Sequence, residues 1–147
     1  MCSRHCVPRR NVLEPSSATI RLFLHVLSAT IWVGGQIVLA ALVPALRRHD
    51  ATVTKIAARA FNRLAWPAFA VLVVTGLWSL LAVDIGATDW DYRVTSMVHV
   101  LMAVVAGCAA AVHSFGRGKV ALAVGGAVGL VASLAALFLG LVLRTGT

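Results

Sequence analysis

The feature that most constrains this chain is a set of four apolar stretches without a single Asp, Glu, Lys or Arg: Leu22–Leu46, Leu64–Val83, Val94–Gly116 and Val120–Leu143. Each is about 20 residues or longer, which at ~1.5 Å per residue crosses a hydrocarbon core of roughly 30 Å. A soluble domain needs a polar skin and carries about 25% charged residues. This chain has 12% and has no means of making one. The pattern predicts an all-α integral membrane protein, a four-helix bundle in one domain over residues 19–147. Strands of a membrane barrel would be about 10 residues long and would alternate, and nothing here alternates. The first block is longer than a signal-peptide core of about 7–15 residues, and Val43-Pro44-Ala45 is a poor cleavage site, so the block reads as a retained helix. Residues 1–18 hold Pro8, Pro15, Ser16 and Ser17 without any period and read as a flexible N-terminal tail.

A net charge of +8 suggests nucleic acid until its layout is considered. The basic residues stand in loops beside the helices, which is how membrane proteins set their orientation. Arg47, Arg48, Lys55, Arg59 and Arg63 follow the first block, and Arg117 and Lys119 follow the third. The second loop holds Asp84, Asp89 and Asp91 against Arg93. The expectation is a multi-pass protein of the cell membrane with loops 1 and 3 cytoplasmic, a lipid partner and no nucleic acid. Trp90 and Tyr92 then lie at the outer interface. Cys2, His5 and Cys6 form CSRHC, a spacing suited to a soft metal, but three ligands in a loose tail are a weak signal. Cys108 reads as packing within its helix.

In the first helix, His25, Ser28, Trp32 and Gln36 are spaced by 3, 4 and 4 residues and so share one face. Lipid cannot satisfy an imidazole or an amide, so that stripe faces the bundle interior. Gly34 and Gly35 thin the helix for a neighbour or a flat ligand. The second helix has Trp66-Pro67 in its first turn and a small polar spot at Thr75, Gly76 and Ser79. The third carries Ser96, His99, Met102 and His113. His99 and Met102 share a face, and His113 lies on it ~21 Å further along. The fourth carries Ala121, Gly125, Gly129 and Ser133 at four-residue spacing, a small-residue ridge for close helix contact. It serves either the bundle interior or a homo-oligomer with a second copy.

Helices 1 and 3 run in the same direction, and His25 and His99 stand near the same end of their blocks. The reading takes these helices as neighbours whose imidazoles meet at one level, where they hold either one metal ion or one haem iron. Met102, one turn deeper, supplies a thioether suited to Cu(I). Ser28, Trp32 and Gln36 would orient His25 from behind. The competing reading is structural: an intramembrane histidine that only hydrogen-bonds to the next helix. His113 reads as interfacial, and His5 and His49 as solvated. No acyl-transfer triad or phosphate loop is present. The membrane blocks contain no carboxylate, which excludes carboxylate catalysis within the bilayer.

HVLSATIWVGG (25–35) resembles the first helix of the CopD-type copper-resistance membrane domain. RAFNRLAWPAFAVLVVTGLW (59–78) resembles the second helix of the same group. That stretch is also similar to the four-helix HemJ-type protoporphyrinogen oxidases, through Pro67, Ala68, Gly76 and Leu77. MVHVLMAVVAGCAAAVHSFGR (97–117) matches more loosely, so the resemblance covers about residues 20–117. It implies a metal- or haem-linked role for His25 and a copper-handling membrane protein. The alternative it implies is a haem b redox protein with His25 and His99 as axial ligands. HemJ-type enzymes also use a lysine on the third helix. Leu101 and Met102 occupy that region here, and the change removes a proton-accepting group from any porphyrin oxidation.

Overall fold

The computed structural model describes residues 16–146; Cys2, His5 and Cys6 lie outside them. Among the described residues there are four long helices and no strand: α1 (Ser17–His49), α2 (Ala51–Leu81), α3 (Trp90–Phe115) and α4 (Lys119–Thr145). Each takes in its apolar block to within a residue or two at the ends, and each is long and apolar enough to cross a membrane. The chain is an all-α, multi-pass membrane protein. Its surface agrees with lipid as the solvent: large side chains such as Phe23, Val74, Leu101, Val131 and Phe138 are exposed.

The helix ends follow from local chemistry. Ser16 caps α1, its hydroxyl accepting from Thr19 N–H at 3.2 Å, so the helix begins at the end of the expected tail. One residue, Asp50, joins α1 to α2. Its carboxylate accepts from Thr52 N–H at 2.6 Å and its own N–H donates to Leu46 O at 2.9 Å. A short 3₁₀ turn at Ile85–Ala87 separates α2 from α3. Gly118, at φ +110°, makes the turn into α4, a backbone region open to glycine and strained for other residues.

The sequence shows no sign of one feature. α1 contains a π turn at Thr30–Gly34. The Thr30 hydroxyl donates back to Val26 O at 2.9 Å, and Gly34-Gly35 follows at once; both loosen the ordinary helical ladder. The wide turn brings Trp32 and Val33 inward together, and both are buried.

Short connections make consecutive helices antiparallel neighbours. α3 and α4 pack most closely, because small residues let their backbones approach. A methyl group placed on Gly125 would lie 2.8 Å from both Ala109 O and His113 N. Gly129 faces Ala106, Ala109 and Ala110. The Gly125–Gly129–Ser133 ridge is therefore used inside the chain: all three residues are buried, and Ser133 meets α1. The helix 4 face considered for a homo-oligomer is not a free surface. α1 packs on α2 along its length and touches α4 through the π turn. α2 reaches α3 where Phe69 lies against Gly107 and Trp66 stacks on Phe115. The helices thus form a ring in the order 1-2-3-4. This corrects the expectation that α1 and α3 are side by side. They are parallel and stand across the bundle from each other, because each is flanked by its antiparallel neighbours.

The packed centre is small. Trp32, Val33 and Ala65 are buried, with Phe61, Phe69 and Ala110 against them. Trp32 lies 4.4 Å from Phe69 and 5.9 Å from Trp66 by ring centroid.

Candidate functional site

Three histidines, His25, His99 and His113, sit in the same kind of socket on a neighbouring helix. The ring of His99 lies over Gly140 of α4, where an added methyl group would meet its Cε1 at 3.3 Å, and its Nδ1 is 2.8 Å from Ala136 O. His113 lies over Gly126, and its Nδ1 is 2.6 Å from Leu122 O. His25 lies over Gly76 of α2, again with Cε1 3.3 Å from a methyl placed there. Its Nδ1 is 2.9 Å from Thr75 Oγ1, with the Leu72 carbonyl also beside the ring. In each case the carbonyl belongs to the residue four before the glycine. Side chains on a helix lean toward its N-terminus and cover that carbonyl. A glycine leaves it open, so it accepts a second hydrogen bond from a ring on the next helix.

These contacts fix where the protons are. A carbonyl oxygen only accepts, so Nδ1 of His99 and of His113 must carry hydrogen. The Thr75 hydroxyl spends its one hydrogen on Val71 O at 2.7 Å, or Leu72 O at 3.1 Å, so toward His25 it can only accept. Neutral His25 therefore also carries its proton on Nδ1. When a ring so held is neutral, its Nε2 keeps the lone pair. Histidine ligands of metals are held this way, one nitrogen donating to a carbonyl or hydroxyl so that the other faces the metal.

His25 on α1 and His99 on α3 stand on helices that run in the same direction, and neither membrane block contains a carboxylate. Both are half-buried. Beside them, on α3, Ser96 is 9% exposed and its hydroxyl meets no hydrogen-bond partner among the described residues. A buried hydroxyl without a partner is uncommon in a folded protein. Ser96 precedes His99 by three residues and so shares its side of the helix.

The other expected site residues fall in different places. Ser28 is buried on the stripe, one turn from His25. Trp32 Nε1 donates to Ser133 Oγ at 3.0 Å, and Gln36 Nε2 donates to the same oxygen at 3.3 Å. The lower part of the stripe thus ties α1 to α4 and does not touch His25. Met102 belongs to the lining of an open apolar groove on the α3–α4 pair, with Val105, Ala127, Val128, Val131 and Ala135. Val131 and Ala135 lie nearly opposite Ser133 around α4, so this groove is on the outer side of the α3–α4 pair. A second groove, along Ala109, Val112, Val124 and Val128, lies on the same pair. Neither groove is lined by His25 or His99. No group of three or more His, Cys, Asp or Glu residues suited to a metal occurs among the described residues.

Thr75 and Gly76 were visible in the sequence as a polar spot, but their role as the seat of His25 was not. Gly140 and the Ala136 carbonyl carried no signal, since a backbone acceptor has no side chain to read. Comparisons with protein-family models, with curated proteins and with solved structures found no match.

Proposed function

We propose that the protein is a CopD-like membrane protein that handles copper, in which His25 and His99 would hold one Cu(I) ion. The observation that supports this is the pair of fixed tautomers: each ring has its Nδ1 hydrogen tied to a neighbouring helix and its Nε2 lone pair free. Imidazole suits copper. The charge balance favours a monovalent ion, because the membrane blocks contain no carboxylate and unpaired charge in a bilayer is costly. A monovalent soft ion bridging two imidazoles needs neither a third protein ligand nor a cavity wider than itself. Met102, on the outer groove, is not part of the set.

Haem b uses the same two nitrogens but also needs a flat slot between them. The two grooves on the α3–α4 pair are lined by neither histidine, which favours the ion.

The test is made on detergent-purified full-length protein. Its absorption spectrum is recorded first, and Cu(I) is then titrated against a chromophoric Cu(I) chelator. One Cu(I) per chain is expected, with no Soret band. Both His25→Ala and His99→Ala should abolish binding while the helical circular dichroism is retained. A Soret band lost in the same two variants would replace copper with haem. Wild-type protein that takes up neither would end the proposal.

A further inference from the structure

The α1–α2 hairpin is much longer than the α3–α4 hairpin beside it. Trp66 of α2 stacks on Phe115, the last residue of α3, yet α2 begins at Ala51. Ala51 therefore lies roughly 15–22 Å beyond the level at which α3 turns into α4. Phe61 against Gly35 is the outermost layer in which the two helices bury a large side chain. Past it, residues 36–49 contain no buried residue. Ile37, Val38, Leu42, Val53 and Ile56 are between 44% and 61% exposed. The same stalk carries Lys55, Arg59 and Arg63 at four-residue spacing, hence in one stripe, with Arg47 and Arg48 at its tip. Its one acid, Asp50, is used as the α2 cap.

Neither bulk phase suits such a segment. Water leaves the large apolar side chains uncovered. Hydrocarbon strips the basic groups of solvent. The interface satisfies both, with apolar side chains at the acyl boundary and basic ones extended to phosphate. The stalk also has a place to bend. Gly34 and Gly35 close the π turn on α1, and Pro67, which removes one backbone hydrogen bond, lies within α2 four residues past the stalk.

We infer that the basic end of the stalk, residues 47–63, lies against the adjacent leaflet and binds anionic phospholipid headgroups through Lys55, Arg59 and Arg63. The stalk contains neither His25 nor His99, so the inference is independent of the copper reading.

Spin labels at Val53→Cys and Ile56→Cys test it, in full-length protein with Cys2, Cys6 and Cys108 replaced by serine. The protein is reconstituted in phosphatidylcholine alone or with added phosphatidylglycerol. In the anionic bilayers both labels should be reached by dissolved oxygen and shielded from a water-soluble nickel chelate, and high salt should reverse this. Each basic residue near an anionic surface contributes about a fivefold preference, so K55Q/R59Q/R63Q should weaken the leaning state on the order of 100-fold. Circular dichroism confirms that this variant is helical. Labels that remain in water in both bilayers overturn the inference. So do labels that lie equally deep in neutral lipid, which removes the headgroup role. Spin–spin broadening between chains also overturns it, because the occupant is then a second copy.

Discussion

The two ends of the α3–α4 pair carry the same device. His99 lies over Gly140 and His113 over Gly126, fourteen residues apart on both helices, and each donates Nδ1–H to the carbonyl four residues before its glycine. The antiparallel pairing repeats one socket at two depths. The surroundings differ. His99 is half-buried and has on its side of the helix Ser96, whose hydroxyl meets no hydrogen-bond partner among the described residues. His113 is exposed near the Arg117 and Lys119 turn. The socket therefore locks a helix pair and sets a tautomer at either end, and it does not by itself make a metal site. What distinguishes the His99 end in the copper reading is a second imidazole from another helix.

The largest expected effect separates the two ends directly. His99→Ala should weaken Cu(I) binding by more than about 100-fold, beyond the 10- to 100-fold typical of losing an orienting partner. His113→Ala should leave it unchanged, as read by chelator competition. Equal losses from both would erase the distinction. Next comes His25 on its own seat. Thr75→Val keeps the shape but removes the acceptor for Nδ1–H, so affinity should fall about 10- to 100-fold with the 1:1 stoichiometry kept. The glycines sharpen the comparison further. A methyl at Gly126 meets Nδ1 of His113 at 2.9 Å, and one at Gly140 meets Cε1 of His99 at 3.3 Å. Gly126→Ala should lower thermal stability by roughly 1–3 kcal/mol through overpacking and leave copper affinity alone. Gly140→Ala should cost less stability and loosen copper. Met102→Leu should be the mildest, below about 1.5 kcal/mol for a volume-conserving change, with Cu(I) affinity as in the wild type.

The four spans were legible because a bilayer demands long charge-free stretches, and Leu22–Leu46 or Val120–Leu143 has no other soluble use. The inward stripe of α1 was legible from its period, and Trp32 and Gln36 do face α4. Its division of labour was not: His25 is seated on α2 while Trp32 and Gln36 bind Ser133. Spacing shows which residues share a face but not which neighbour that face meets. Met102 illustrates the limit. It is three residues from His99, yet His99 is seated on Ala136 and Gly140 while Met102 lines a groove with Val131 and Ala135. The π turn was hidden because Thr30–Gly34 contains no proline and no charge. The seats at Gly76 and Gly140 depend on how antiparallel helices register, which one helix alone does not encode.

The polar tie between Trp32, Gln36 and Ser133 bears on how the molecule is assembled. Outside it, the α1–α2 and α3–α4 hairpins meet through aromatic packing at Trp66, Phe69 and Phe115. Each hairpin satisfies its own backbone, so each is able to enter the bilayer as a separate unit and join afterwards. Two fragments divided at the short segment around Gly86 should then find one another when made together in a cell, and Ser133 is the residue by which each half recognises its mate.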